Sequence, residues 1–115
     1  MDTIPFIFQR RHMRESTYQR QLIDKLLKMF PDCLILKNDS SHVQGIPDLS
    51  IFYMDKWAML EVKVDEKAPT RPNQEYYIEK LSEMSFAAII YPENEEAVLD
   101  ALQSAFGVRG PARIS

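Results

Sequence analysis

An α/β sandwich about a small mixed sheet, with elements in the order α-β-β-β-α-β-α, is the fold class this sequence predicts. Three observations predict it. Three segments carry apolar residues at helical spacing, four carry the short apolar or alternating runs of strands, and polar or Pro-containing stretches separate them. The 115 residues are enough for one domain, 1–115.

The first helix is expected over 15–30, after an N-terminal arm of 1–13. Tyr18, Leu22, Leu26 and Met29 form its stripe, Ile23 and Leu27 widen it, and Pro31 ends it. Ser16 and Gln19 read as a capping box. The run 33–36 is a short strand, and the polar stretch 38–45 is a loop. Strands over 49–54 and 57–64 flank Asp55-Lys56, which reads as the turn of a hairpin. The charged stretch 65–73 is a loop. Thr70 is the expected N-cap of a second helix, with Pro72 in its first turn and Tyr77, Ile78 and Leu81 inward. A buried strand over 86–91 and a last helix over 95–106, with Val98, Leu99, Leu102 and Phe106 inward, complete the domain. The tail 107–115, with two Gly and a Pro, is expected to fray.

Composition narrows the function. Hydrophobic residues at 45% and charged residues at 27% describe a chain that packs. No apolar run approaches the ~20 residues that span a bilayer, and the N-terminus places apolar residues before basic ones, the reverse of a secretory signal. Cys33 is alone, which rules out an internal disulfide and fits a reducing cytoplasm. No Cys/His pattern for zinc is present. The net charge of -3 argues against indiscriminate coating of nucleic acid, but the charge is uneven. Arg10, Arg11, Arg14, Arg20, Lys25 and Lys28 gather early, while acidic residues crowd the last third. That distribution suits either phosphate binding at one place or an ordinary solvated helix face.

The hairpin carries the chemistry. Paired about Asp55-Lys56, it sets Asp48 opposite Lys63 and Ser50 opposite Glu61, so that these four side chains share one face and Leu60, Val62 and Val64 the other. Asp48 and Glu61 become diagonal neighbours within reach of one metal ion, with bonds of about 2.1 Å. Phe52, Met54, Trp57 and Met59 also lie on the polar residues' face. The polar groups therefore cluster at one end of an otherwise apolar surface, where a merely wet face would be polar throughout. Magnesium keeps several waters and takes one or two protein carboxylates, so Asp48 and Glu61 with the Val62 carbonyl make a sufficient set. Lys63 is placed to orient or deprotonate water, or to offset phosphate charge.

Pro47-Asp48 followed by Glu61-Val62-Lys63 resembles the PD-(D/E)xK nuclease superfamily. Glu15 with Gln19, Gly45-Ile46-Pro47-Asp48, Glu61-Val62-Lys63 and Gln74, in that order, are most similar to its VRR-NUC group. The resemblance spans roughly 14–91. It departs at 83–85, which lack the group's Gly, and before Pro72, where one residue is extra. It implies a restriction-endonuclease-like core, Mg2+ or Mn2+ as cofactor, and a homodimer that cleaves branched DNA as Holliday junction resolvases do. Cleavage of flaps or unbranched DNA, and DNA binding without catalysis, are the alternatives.

The resemblance also gives roles. Asp48, Glu61, Lys63 and Gln74 would be catalytic, and Glu15, Asp48, Glu61 and Val62 would hold metal. Glu15 could instead be a first-turn acid favoured by the helix dipole, and Gln74 could simply lie exposed. Lys67 and Arg71 on the charged loop, Lys37 and Asn38 after the first strand, and Arg10, Arg11 and Arg14 are candidate phosphate contacts, with plain solvation as the other reading. His42 is a lone loop histidine.

Overall fold

In a computed structural model, which describes residues 13–108, a four-stranded mixed sheet lies between helices. Helix α1 spans Glu15–Met29, β1 Leu34–Lys37, β2 Leu49–Tyr53, β3 Lys56–Val62, α2 Gln74–Met84 and β4 Phe86–Ile90. A 3-10 turn at Pro92–Asn94 leads into α3, Glu95–Ala105. The sheet order is β1-β2-β3-β4, antiparallel except for the parallel β3–β4 pair joined through α2. The predicted element order is observed. No helix among the described residues is long and apolar enough to cross a membrane.

The sheet has two unlike faces. On one, Leu49, Ile51, Ala58, Leu60, Val62 and Ile90 meet Tyr18, Leu22, Leu26 and Phe30 of the α1 segment and Leu99, Leu102 and Phe106 of the α3 segment. This is the core. Tyr53, Phe30 and Phe106 close one end of it with ring centroids 5.1–5.7 Å apart. The Tyr18 hydroxyl donates to Glu95 at 2.8 Å, and Lys25 pairs with the same carboxylate, so the two core helices are also tied by polar contacts. Helix α2 packs against β3 and β4 on the opposite face. Its Tyr77, Ile78 and Leu81 are half-buried, as is most of β4, and only Ile90 of that strand is fully buried. The expected buried strand is therefore half-buried.

Several local expectations are corrected. The hairpin turn is Met54-Asp55, because Tyr53 pairs with Lys56, and not Asp55-Lys56. Ser50 faces Met59 instead of Glu61, and the same register carried one step on sets Asp48 opposite Glu61. A shift of two in the pairing sum leaves every side chain on its predicted face, since faces alternate with period two. Helix α1 begins at an Arg14 cap without a side-chain bond, so the Ser16–Gln19 box does not form. The N-cap of α2 is Asn73, in the left-handed region at φ 72, and not Thr70. Leu27 is 46% exposed and does not widen the buried stripe.

Candidate functional site

At one end of the second face, the sheet and three flanking segments enclose a cleft of about 640 Å³. Its floor is Asp48, at the entrance to β2, with Glu61 and Lys63 at the end of β3. Glu15, from the first turn of α1, and Ser40, Ser41 and Gln44, from the 38–48 loop, contribute to its walls. So do Pro69, Thr70 and Arg71 of the charged loop and Gln74, the first residue of α2. Residues up to 59 positions apart in sequence, Glu15 and Gln74, thus line one polar space.

Backbone geometry explains why these segments meet. Gly45 has φ +92, and a Cβ placed on it would lie 2.6 Å from the Asn73 Cβ and 2.8 Å from the Asn73 carbonyl carbon. Glycine is required there twice over, by conformation and by space. Asn73 itself is left-handed, so two unusual backbone positions interlock where the 38–48 loop touches the start of α2. On the other side, the Asn38 amide donates to the Pro47 carbonyl at 2.8 Å and exchanges hydrogen bonds with the Ser50 hydroxyl. The Asn38 N–H also donates to the Asp48 carbonyl. Asn38 therefore braces the Pro47–Asp48 segment from behind. It has a structural partner where the sequence left it a candidate for phosphate. Ser50, buried at 3% exposure, was legible only as a member of the polar face.

The floor is a connected network. Gln74 is buried; its Nε2 donates to Glu61 Oε2, and its Oε1 accepts from Lys63 Nζ at 3.0 Å and from the Arg71 N–H at 2.7 Å. Three donors and acceptors of fixed type orient the amide uniquely. Lys63 Nζ also donates to the Pro69 carbonyl at 2.9 Å and lies 3.7 Å from Glu61 Oε2. The catalytic candidates thus tie the charged loop to the sheet. Asp48 Oδ2 accepts from the Val62 N–H at 2.9 Å. N–H and C=O of one strand residue point to the same edge, so the Val62 carbonyl is turned toward β2 as well.

Burial sets the charge states. The Glu61 carboxyl is pushed up to about 7, first by loss of water and then by the negative charge of Asp48, with Lys63 pulling the other way. Asp48 is also raised by burial, against the Val62 N–H, Lys63 and Arg71, which favour its charged form. Burial and the charge of Asp48 raise Glu15 too, which puts all three carboxylates in one electrostatic field.

Glu61 Oε1 is the one buried side-chain polar atom among the described residues without a hydrogen-bond partner. A carboxylate oxygen in that state, beside a second carboxylate, is what a small cation would satisfy. No three Asp, Glu, His or Cys side chains among the described residues close into a ready-made metal cage. The donor set suits a hard cation that keeps much of its own water.

Of the candidate phosphate contacts, Arg71 lines the cleft, whereas Arg14, Lys37 and Lys67 do not. Arg10 and Arg11 lie outside the described residues. His42 is exposed and does not line the cleft. The chain matches no family model, no curated protein and no solved structure.

Proposed function

We propose that this chain is a Mg2+- or Mn2+-dependent DNA endonuclease that acts as a homodimer on branched DNA, a four-way junction above all. The observation that carries the reading is the unpartnered, buried Glu61 Oε1 beside Asp48, in a cleft that also gathers Glu15, Lys63 and Gln74. Asp48, Glu61 and the Val62 carbonyl would hold the cation, with Glu15 facing them across the cleft. When bound, such a cation lowers the pKa of its water and polarises a phosphoryl oxygen.

The protein's own groups divide the remaining work. Three carboxylates oppose the two cations Lys63 and Arg71 in the cleft, so a phosphate meets net repulsion until a metal joins them. Lys63 donates hydrogen bonds to the Pro69 carbonyl and Gln74 Oε1 and sits beside Glu61, where it is placed to offset charge on a phosphate. Gln74 holds Glu61 and Lys63 in register. Arg71, on the loop that Lys63 and Gln74 anchor, is placed for a phosphate oxygen. The branched substrate and the dimer come from the resemblance to VRR-NUC proteins, as does the restriction-endonuclease-like core that the mixed sheet accommodates.

Cleavage of a labelled four-way junction beside a matched linear duplex, with Mg2+, with Mn2+ and with chelator, tests this. Paired nicks on the junction that vanish with chelator, and fall by roughly 10²–10⁴-fold in Asp48→Ala, are expected. Equal cutting of both substrates would remove the junction preference. Junction binding without metal-dependent cutting would leave a DNA-binding protein and withdraw the catalytic roles.

A further inference from the structure

Among the described residues, β1 is an outer strand of the sheet, and it is poorly protected. Natural edges are blunted by charge, proline or bulges. Within β1, Leu34 and Leu36 are instead 56% and 46% exposed, and the only charge, Lys37, stands at the end. The two leucines lie on the same face as Phe52 and Ser50, by their pairing with β2. The Asn38 N–H bonds Asp48 of the neighbouring segment. By strand alternation, Leu34 and Leu36 also turn their backbone groups to β2, while the N–H and C=O of Ile35 and Lys37 point outward from the edge.

We infer that β1 pairs antiparallel with β1 of a second copy of this chain, about a two-fold axis through Ile35. An axis perpendicular to the sheet keeps each side chain on its own face, so residues opposite one another must have numbers with an even sum. A sum of 74 would set Lys37 against the partner's Lys37. A sum of 68 would set Lys37 against the partner's Pro31, which has no N–H to give. A sum of 72 would leave Leu34 against the partner's Asn38.

A sum of 70 satisfies the outward N–H groups of Ile35 and Lys37, while the Cys33 N–H stays with the Phe30 carbonyl of its own protomer. Ile35 exchanges both hydrogen bonds with the partner's Ile35. The Lys37 N–H reaches the partner's Cys33 carbonyl. Leu34 meets the partner's Leu36 as a non-hydrogen-bonded pair, the kind whose side chains approach closest. A second copy is therefore the occupant that this edge fits. The edge contact is short beside the ~800 Å² per partner of a standard interface, so the dimer is concentration-dependent.

This arrangement deepens the dimer proposed above and draws on the nuclease reading only for its use. Asp48 stands three residues along and one strand in from the axis in each protomer. With ~3.4 Å per residue and ~4.8 Å per strand, the two Asp48 positions are about 25 Å apart, on one face of a continuous eight-stranded sheet. Two sites facing the same way suit two cuts in one DNA.

Sedimentation velocity of the whole chain over a concentration series tests the pairing without reference to activity. Wild type is expected to pass from monomer to dimer. Leu36→Lys should weaken that step by ~100-fold with unchanged circular dichroism. Met84→Lys, also at an exposed position but on α2, should leave it unchanged. In a Cys33→Ser background, Leu34→Cys and Leu36→Cys proteins should form a disulfide dimer when mixed and oxidised, and neither should do so alone. A monomer at every concentration, a dimer indifferent to Leu36→Lys, or cross-linking of Leu36→Cys alone would overturn the proposal. Loss of metal-dependent cleavage with the dimer intact would count against the nuclease reading alone.

Discussion

The second face of the sheet inverts the usual burial rule from one end to the other. At the end near Asp48, Glu61, Lys63 and Gln74 are 3%, 7% and 6% exposed. At the other, Leu34 and Met54 are 56% and 85% exposed, and Phe52 is 40%. Burying charge costs several kcal/mol unless it is paired, whereas exposing single leucines costs little. The polar end is therefore the expensive one, and the fold meets that expense with a network that leaves one oxygen unsatisfied. An expensive arrangement with an open position indicates a use for that position. The apolar end indicates a neighbour only where its edge strand adds directional, self-complementary groups. Burial against chemical type is informative here, and exposure alone is not.

The most severe way to break this contrast is to neutralise the carboxylate on which it turns. The Glu61 carboxyl stands at about 7 in the folded chain against an ordinary value of 4.5. A raised folded pKa means that its contribution to stability is fully present below about pH 4.5 and is lost as pH rises through about 7. The metal-free protein should thus lose roughly 2–3 kcal/mol from this group between about pH 5 and pH 8. Glu61→Gln should flatten the pH dependence of the thermal midpoint and raise the midpoint at the alkaline end. Mn2+ should restore wild-type stability at about pH 8 by binding the folded state, and should do nothing for Glu61→Gln. A wild-type midpoint that is level across this range, or equal stabilisation of both proteins by Mn2+, would remove the case for a strained, cation-seeking carboxylate.

A smaller effect sharpens how the polar end is assembled. It depends on the contact of two loops at Gly45 and Asn73, whereas the apolar end depends on no such contact. Gly45→Ala places a methyl group 2.6 Å from the Asn73 side chain at a positive φ. It should cost about 2 kcal/mol and weaken Mn2+ binding by roughly 10–100-fold, the scale on which supporting residues act on metal sites. Chemical denaturation and calorimetric titration with Mn2+ read the two quantities separately. Stability loss with intact metal affinity would mean that the loop contact is structural only.

How much of this was legible beforehand follows from the period of a strand. Faces repeat every two residues, so the gathering of Asp48, Ser50, Glu61 and Lys63 survived an error in the turn that shifted the pairing sum from 111 to 109. Had the error been odd, the whole site would have moved into the core. Helical spacing likewise identified Tyr18, Leu22 and Leu26 as the buried stripe of α1. Three features had no local signal. Asn38 and Ser50 are twelve residues apart and meet only because β1 pairs with β2. Gly45 was legible only as part of the Gly45-Ile46-Pro47-Asp48 pattern, not as the residue that lets Asn73 approach. A four-residue apolar run reads the same in the middle of a sheet and at its edge, so the exposure of Leu34 and Leu36 was invisible until the strand order was known.

The turn itself offers the mildest test, and it lies at the apolar end. Asp55-Lys56 has the turn-forming composition, yet the chain turns at Met54-Asp55, with Met54 at φ 58. A left-handed backbone puts a Cβ against the following carbonyl and costs ~1 kcal/mol or somewhat more. The Met54 side chain is 85% exposed, so packing returns little of that cost. What holds the turn there is the register beyond it, because moving it one residue would shift every cross-strand pair by two and set Asp48 opposite Lys63 instead of Glu61. Met54→Gly should therefore stabilise by about 0.5–1 kcal/mol, the relief of strain exceeding the added freedom of the unfolded chain. Met54→Val should destabilise by about 1 kcal/mol, since a branched side chain tolerates positive φ least. Both should leave Mn2+ affinity unchanged, because the turn lies at the far end of the face from Asp48. Equal stability of the glycine and valine variants would mean that Met54 does not hold the left-handed conformation. A change in metal affinity would mean that the two ends of this face are coupled through the strands between them.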